Sequence, residues 1–227
     1  MTQNNTMIRP SLTSPRAAAI AGILFSVLLI ASLILIRLSV PNDLQEAGQW
    51  LTNNGKAVNF ALNLIPFAGI AFLWFIGVVR DRLGTSEDRL FATVFLGSGL
   101  LYLAMLFSSA AVAGGIINMF GSAPDSLISN GIYTFGRTLT YEIMTVYAMK
   151  MAGLFMISTS TLSFRTGILP RWMAILGILL ALVLLVTVNM FYWAPVLFPL
   201  WVLLISVHIL LANLRLQKNS PVKVSAN

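Results

Sequence analysis

The chain contains no cysteine and a single histidine among its 227 residues. Without thiols there is no disulfide, thiolate metal site or thiol nucleophile, and one histidine excludes a multi-histidine centre. No metal or other cofactor is expected. Charge is scarce too: Asp, Glu, Lys and Arg make up 9% of the residues, against about 25% in a soluble domain. Apolar side chains take their place, at 58% of the residues with a mean hydropathy of +0.87. That balance excludes an ordinary water-soluble enzyme. The chain reads as an integral membrane protein whose first partner is the lipid bilayer.

Catalytic signatures are missing as well. There is no GxxxxGK[ST], HExxH or GxSxG, and no pair of intramembrane carboxylates. A Ser–Lys dyad built on Lys150 stays open, but no serine is singled out as its partner. The expectation is a protein that is not an enzyme. The net charge of +7 does not point to nucleic acid, because the basic residues lie in short loops between apolar runs.

Those runs predict an all-α fold: a polytopic bundle of six transmembrane helices with two short outer amphipathic helices. The spans cover roughly 17–36, 57–79, 90–113, 140–162, 172–190 and 193–213. Residues 1–16 form a cytoplasmic segment, 17–214 the membrane domain and 215–227 a basic tail. The first span, followed by no small-x-small site after Arg37, reads as a retained anchor. The third continues past Gly114-Gly115 to Phe120, so it tilts, protrudes or breaks at the glycine pair.

Orientation follows from the loop cations. Arg9, Arg16, Arg80, Arg82, Arg89, Arg165, Arg171, Arg215, Lys218 and Lys223 fall on one side, ten in all. Only Arg37, Lys56 and Arg137 fall on the other. Both termini are therefore expected in the cytoplasm. Trp50, Trp172, Trp193 and Tyr192 fall near the interfaces, whereas Trp74 and Trp201 lie deeper and are expected to pack between helices.

The two longer outer loops carry helix signals. Asp43 and Glu46 fit a loose capping box, Leu44, Ala47 and Leu51 follow helical spacing, and Asn53-Asn54-Gly55 reads as a stop. Pro124-Asp125 precedes Leu127, Ile128, Gly131, Ile132 and Phe135. Both segments read as interfacial connectors or as a lid over an outward cavity. Pro15–Leu24 and Pro170–Leu179 are identical at seven of ten positions, which chance apolar matching or a duplicated helical hairpin would explain. Small residues four apart, such as Ala18-Gly22-Ser26 and Gly177-Ala181, suit close helix packing.

Polar groups inside the spans are the candidates for function. Lys150 lies about ten residues into the fourth span, where an ionised lysine costs at least about 2.5–3.5 kcal/mol. Either it snorkels, with Glu142 at headgroup level near Arg137, or it faces the interior and meets Asn63. In the second case Lys150, Glu142, Thr145 and Tyr147 join Asn59 and Asn63 around a ligand-binding pocket in the outer half of the bundle. His208 on the last span is a neutral buried histidine or a pH sensor.

The run Phe72-Leu73-Trp74-Phe75-Ile76-Gly77, then Arg80-Asp81-Arg82-Leu83 and Arg89-Leu90, has a familiar form, as do Pro15-Arg16 and Pro170-Arg171-Trp172. On these segments the chain resembles an uncharacterised group of bacterial six-span integral membrane proteins. The resemblance implies a bacterial cell-membrane location and carries over no activity. Two functions stay open. One is a small permease or channel-like protein binding a solute or ion around Lys150. The other is a non-catalytic scaffold or sensor that partners another membrane protein or a second copy of itself.

Overall fold

The computed structural model describes residues 15–41, 48–83, 89–122, 124, 128, 130–167, 169–186 and 193–218. Among them there is no strand. Helix α1 spans Pro15–Ser39, α2 Gln49–Leu83 and α3 Arg89–Ser122. A long helix follows in three parts: α4 (Ile132–Glu142), a π-helical segment (Ile143–Ala148) and α5 (Met149–Thr166). Helices α6 (Arg171–Val186) and α7 (Ala194–Lys218) complete the chain.

Five helical stretches are long and apolar enough to cross a membrane. Helix α6 is shorter at 16 residues, and the outer end of the expected fifth span, 187–190, lies outside the described residues. Helices α2 and α3 run for 35 and 34 residues, about 50 Å each at 1.5 Å per residue. Both therefore exceed a hydrocarbon core of about 30 Å and must tilt or protrude.

The sequence accounts for most of the boundaries. Pro15 opens α1, where its missing N–H costs nothing. Gly167, with φ +68°, closes α5 and donates its N–H to the Ser163 carbonyl at 2.9 Å, a left-handed helix stop. Gly48 (φ +84°) and Gly131 (φ +69°) turn the chain into α2 and α4.

Several expectations change. Asn53-Asn54-Gly55 is no stop, because α2 runs straight through it. The Asn54 amide instead donates to the Ser39 carbonyl at 3.0 Å, satisfying an orphan acceptor at the end of α1. Gly114-Gly115 causes no break, since α3 is continuous across it. Ile132 and Phe135 belong to the long fourth helix and not to a separate surface helix. The capping pair Asp43 and Glu46 and the segment 125–127 lie outside the described residues. Trp201 is buried as expected, but Trp74 is 66% exposed.

Packing follows the four-residue stripes. Ala18, Gly22, Phe25, Ser26, Leu29 and Leu33 turn inward on α1, while Ile20, Leu24, Val27 and Ile34 face outward. Helix α1 packs on α2 and α7, α3 on α2 and on the whole fourth helix, and α6 chiefly on α5. The hairpin α1–α2 is therefore extensive whereas α6 barely touches α7, and the proposed duplication finds no echo in the packing. The centre is a cluster of rings. Phe72 lies 4.5 Å from Phe25 and 5.3 Å from Phe155, and Tyr102 lies 4.6 Å from Phe198, centroid to centroid. In lipid such dispersion contacts take over from the hydrophobic effect as the cohesive term.

Candidate functional site

Beyond the ring cluster, toward the Arg137 end of the bundle, the helices part around a partly open cavity of about 160 Å³. Leu33, Leu62, Ile65 and Leu106 lie deepest along their helices and form an apolar floor. Arg37, Pro41, Trp50, Tyr133 and Arg137 lie nearer the helix ends and form the mouth, with Ser109, Thr140, Tyr141, Met144 and Thr145 on the walls. Among the described residues, none that lines this space is acidic.

Arg137 is built into the wall and is only 8% exposed. Its Nη1 donates to the Tyr133 hydroxyl oxygen at 3.1 Å, and its Nη2 donates to the Pro41 carbonyl. The Tyr133 oxygen also accepts from Trp50 Nε1 at 2.8 Å. One phenol thus collects donors from α2 and from its own helix, while the guanidinium ties α4 to the chain just beyond α1. A buried charge needs such hydrogen bonds to be tolerated. Tyr133, Arg137 and Tyr141 follow one another at four-residue spacing, so a single helical face supplies them.

The π-helical segment shapes the neighbouring wall. Its residues Met144 and Thr145 both line the cavity. Where the regular ladder ends, hydroxyls donate to backbone carbonyls: Ser109 to Thr140 at 3.0 Å and Thr145 to Tyr141 at 2.8 Å. Single π turns inside α-helices occur frequently at functional sites.

The expected site residues are dispersed. Thr145 lines the cavity, and Glu142 is half-buried beside it in sequence. Lys150 is exposed, Tyr147 is 58% exposed, and Asn59 and Asn63 are both exposed. The Asn63 amide donates to the Asn59 carbonyl at 2.9 Å, one turn back on its own helix. The expected inward Lys150 is therefore corrected to an outward one. The reason is the packing face of the fourth helix, where Ala148, Met149, Ala152, Gly153 and Met156 turn inward and leave position 150 on the opposite side. His208 is half-buried on α7, remote in sequence from every cavity residue.

Sequence reasoning missed Arg37 and Arg137 as site residues, because both were counted as loop cations. The Tyr133-Arg137-Tyr141 stripe is the signal that would have found them. No group of three or more His, Cys, Asp or Glu side chains able to hold a metal occurs among the described residues. No family model, curated protein or solved structure matches the chain.

Proposed function

We propose that this chain is a six-span cell-membrane protein that binds a small organic solute in the cavity beside Arg137. The observation that carries this reading is a chamber of about 160 Å³ with an apolar floor and a cationic, aromatic mouth. A concave, mostly apolar space with a few convergent polar groups is the usual form of a small-molecule site. The sixth crossing is α6, which starts at Arg171 among the basic loops and leads to α7, a helix that returns to Arg215. The excess of loop cations orients both termini toward the cytoplasm, and the cavity then opens outward.

A channel fits the arrangement less well than a binding protein or permease. Phe25, Phe72, Phe155, Phe198 and Tyr102 fill the centre below the floor, so the chamber is blind. One observation favours a partnering role beside solute binding: the exposed Lys150 lies well within the long fourth helix, where a carboxylate on a neighbouring membrane helix would lower its cost.

The test is a thermal-shift screen of small organic solutes on the full chain in nanodiscs. It compares the natural chain with Ala113→Phe and Ala110→Leu, which fill the chamber from α3. At least one solute should raise Tm in the natural chain and lose its effect in both variants. A screen in which no solute discriminates between them sinks the reading.

A further inference from the structure

We infer that the solute is a small neutral ketone of about six to eight carbon atoms, whose carbonyl oxygen accepts a hydrogen bond from the Tyr133 hydroxyl. The inference rests on the cavity being a solute site and adds the ligand's size, charge and functional group.

A count of polar hydrogens comes first. The Tyr133 oxygen accepts from Trp50 Nε1 at 2.8 Å and from Arg137 Nη1 at 3.1 Å. An indole N–H and a guanidinium N–H can only donate. Both lone pairs of the phenol are therefore occupied, and what remains is its own O–H. Tyr133 is 3% exposed, yet no acceptor takes that hydrogen among the described residues. Other hydroxyls of the wall have spent theirs: Ser109 donates to the Thr140 carbonyl, Thr140 to Gly136 and Thr145 to Tyr141. Tyr141, the second phenol of the wall, is only half-buried.

Trp50, Tyr133 and Arg137 all line the chamber, so the oxygen at which they meet stands in its wall. A guanidinium bonded to that oxygen polarises the phenol, and hydrogen bonds linked in this way strengthen one another. The spare O–H is thus a strong donor above an apolar floor.

Such a donor selects an acceptor. A ketone oxygen fits, with two lone pairs and no hydrogen of its own. An alcohol or a primary amide brings a further O–H or N–H, and a hydrogen without an acceptor is costly to bury.

Charge excludes ions of both signs. Two guanidiniums line the wall and repel a cation. They offer no open fork to an anion either. Arg137 Nη1 and Nη2 are taken by Tyr133 and Pro41, and both Arg37 and Arg137 hold further contacts. A carboxylate would then find too few hydrogens for its two charged oxygens. Size sets the body: a chamber of about 160 Å³ compares with apolar cavities of about 150 Å³ that bind benzene. A six-membered ring fills such a space, and a long acyl chain does not.

The experiment titrates cyclohexanone, methylenecyclohexane and cyclohexanecarboxylate into the full chain in detergent micelles at neutral pH. Methylenecyclohexane keeps the ketone's shape with a methylene group in place of the oxygen, so the pair isolates the hydrogen bond. The same titrations are made on Tyr133→Phe, and comparing the ratio of the two affinities between chains cancels their different uptake by the micelle. That ratio should shift toward the alkene by about five- to ten-fold in the variant, the net worth of one hydrogen bond. Cyclohexanone labelled at its carbonyl carbon gives an NMR reading that does not depend on the variant folding. On the natural chain its resonance should move downfield of its position in empty micelles, and Ala113→Phe should abolish the shift. A ratio unchanged by Tyr133→Phe, or a bound ketone without the downfield shift, overturns the assigned hydrogen bond while the chamber remains a solute site. Tighter binding of cyclohexanecarboxylate than of cyclohexanone overturns the neutral assignment. Absence of binding by all three overturns the inference, and the reading beneath it falls as well if the solute screen with Ala113→Phe is also silent.

Discussion

The indole Nε1 of Trp50 donates a hydrogen bond of 2.8 Å to the hydroxyl oxygen of Tyr133, across 83 residues of sequence. Both side chains are buried, and the same oxygen receives Arg137 Nη1. The phenol is thus the shared acceptor of two donors that have little access to water. Removing that oxygen leaves both donors to find new partners.

Tyr133→Phe should therefore cost about 1–3 kcal/mol, the range for orphaning buried polar groups. Trp50→Phe, which removes a donor and leaves the acceptor with Arg137, should cost less per hydrogen bond lost. Reversible unfolding in mixed micelles, run as a double-mutant cycle, reads the coupling between the two. A coupling energy within error of zero contradicts the shared-acceptor geometry.

Gly177 on α6 sits where a methyl group would collide with Ser160 Oγ and lie 2.8 Å from Trp201 Nε1. Gly177→Ala should destabilise the protein by about 1–3 kcal/mol through overpacking. Gly97 on α3, with nothing within 4 Å of the same construction, serves as the control. Gly97→Ala should be neutral or stabilising by up to about 1 kcal/mol through helix propensity. Thermal denaturation of the two variants should move Tm in opposite directions, or move it only for Gly177.

Ser32 on α1 donates its hydroxyl to the Ala61 carbonyl of α2 at 2.8 Å. Ser32→Ala should lower stability by about 0.6–1.7 kcal/mol, the span measured for interhelical hydrogen bonds in membranes. Ser26, whose hydroxyl returns to Gly22 on its own helix at 2.8 Å, should tolerate Ala better. Equal losses at both positions would show that the bond between helices carries no special weight.

Lys150→Met should leave solute-induced stabilisation intact, because the side chain is exposed and does not line the cavity. Its stability should hold or rise, since the substitution removes the cost of a cation within a span. A Lys150→Met variant that keeps its fold yet loses its response to solute would return that lysine to the site.

The long apolar runs made the helices legible, and the stripe Ala18-Gly22-Ser26 marked the inward face of α1. Lys150 was misplaced because its cost was weighed without the face of its own helix. Ala152, Gly153, Met156 and Ser160 already marked that face in the sequence. Arg137 was hidden for a different reason. Its helix begins at Ile132, eight residues before the apolar run that hydropathy detects, so a wall residue looked like a loop cation. The π segment, Ile143–Ala148, left no mark in the residue pattern. Pairings such as Trp50 with Tyr133 depend on how helices meet, which periodicity within one helix does not encode.

At the Arg137 end of the bundle several polar side chains bridge separate elements, beside others, such as Thr140 and Thr145, that return to their own helix. The bridges tie Ser32 to Ala61, Asn54 to Ser39, Trp50 to Tyr133, Ser109 to Thr140 and Arg137 to Pro41. In the other half Ser98, Ser158, Thr159 and Ser163 bond to carbonyls of their own helices. Splaying α5 away from α3 there would break none of these four bonds, whereas parting the fourth helix from α3 near Arg137 would break the Ser109–Thr140 tie. Mechanically, the Arg137 end of the bundle is riveted by side chains that bridge separate elements.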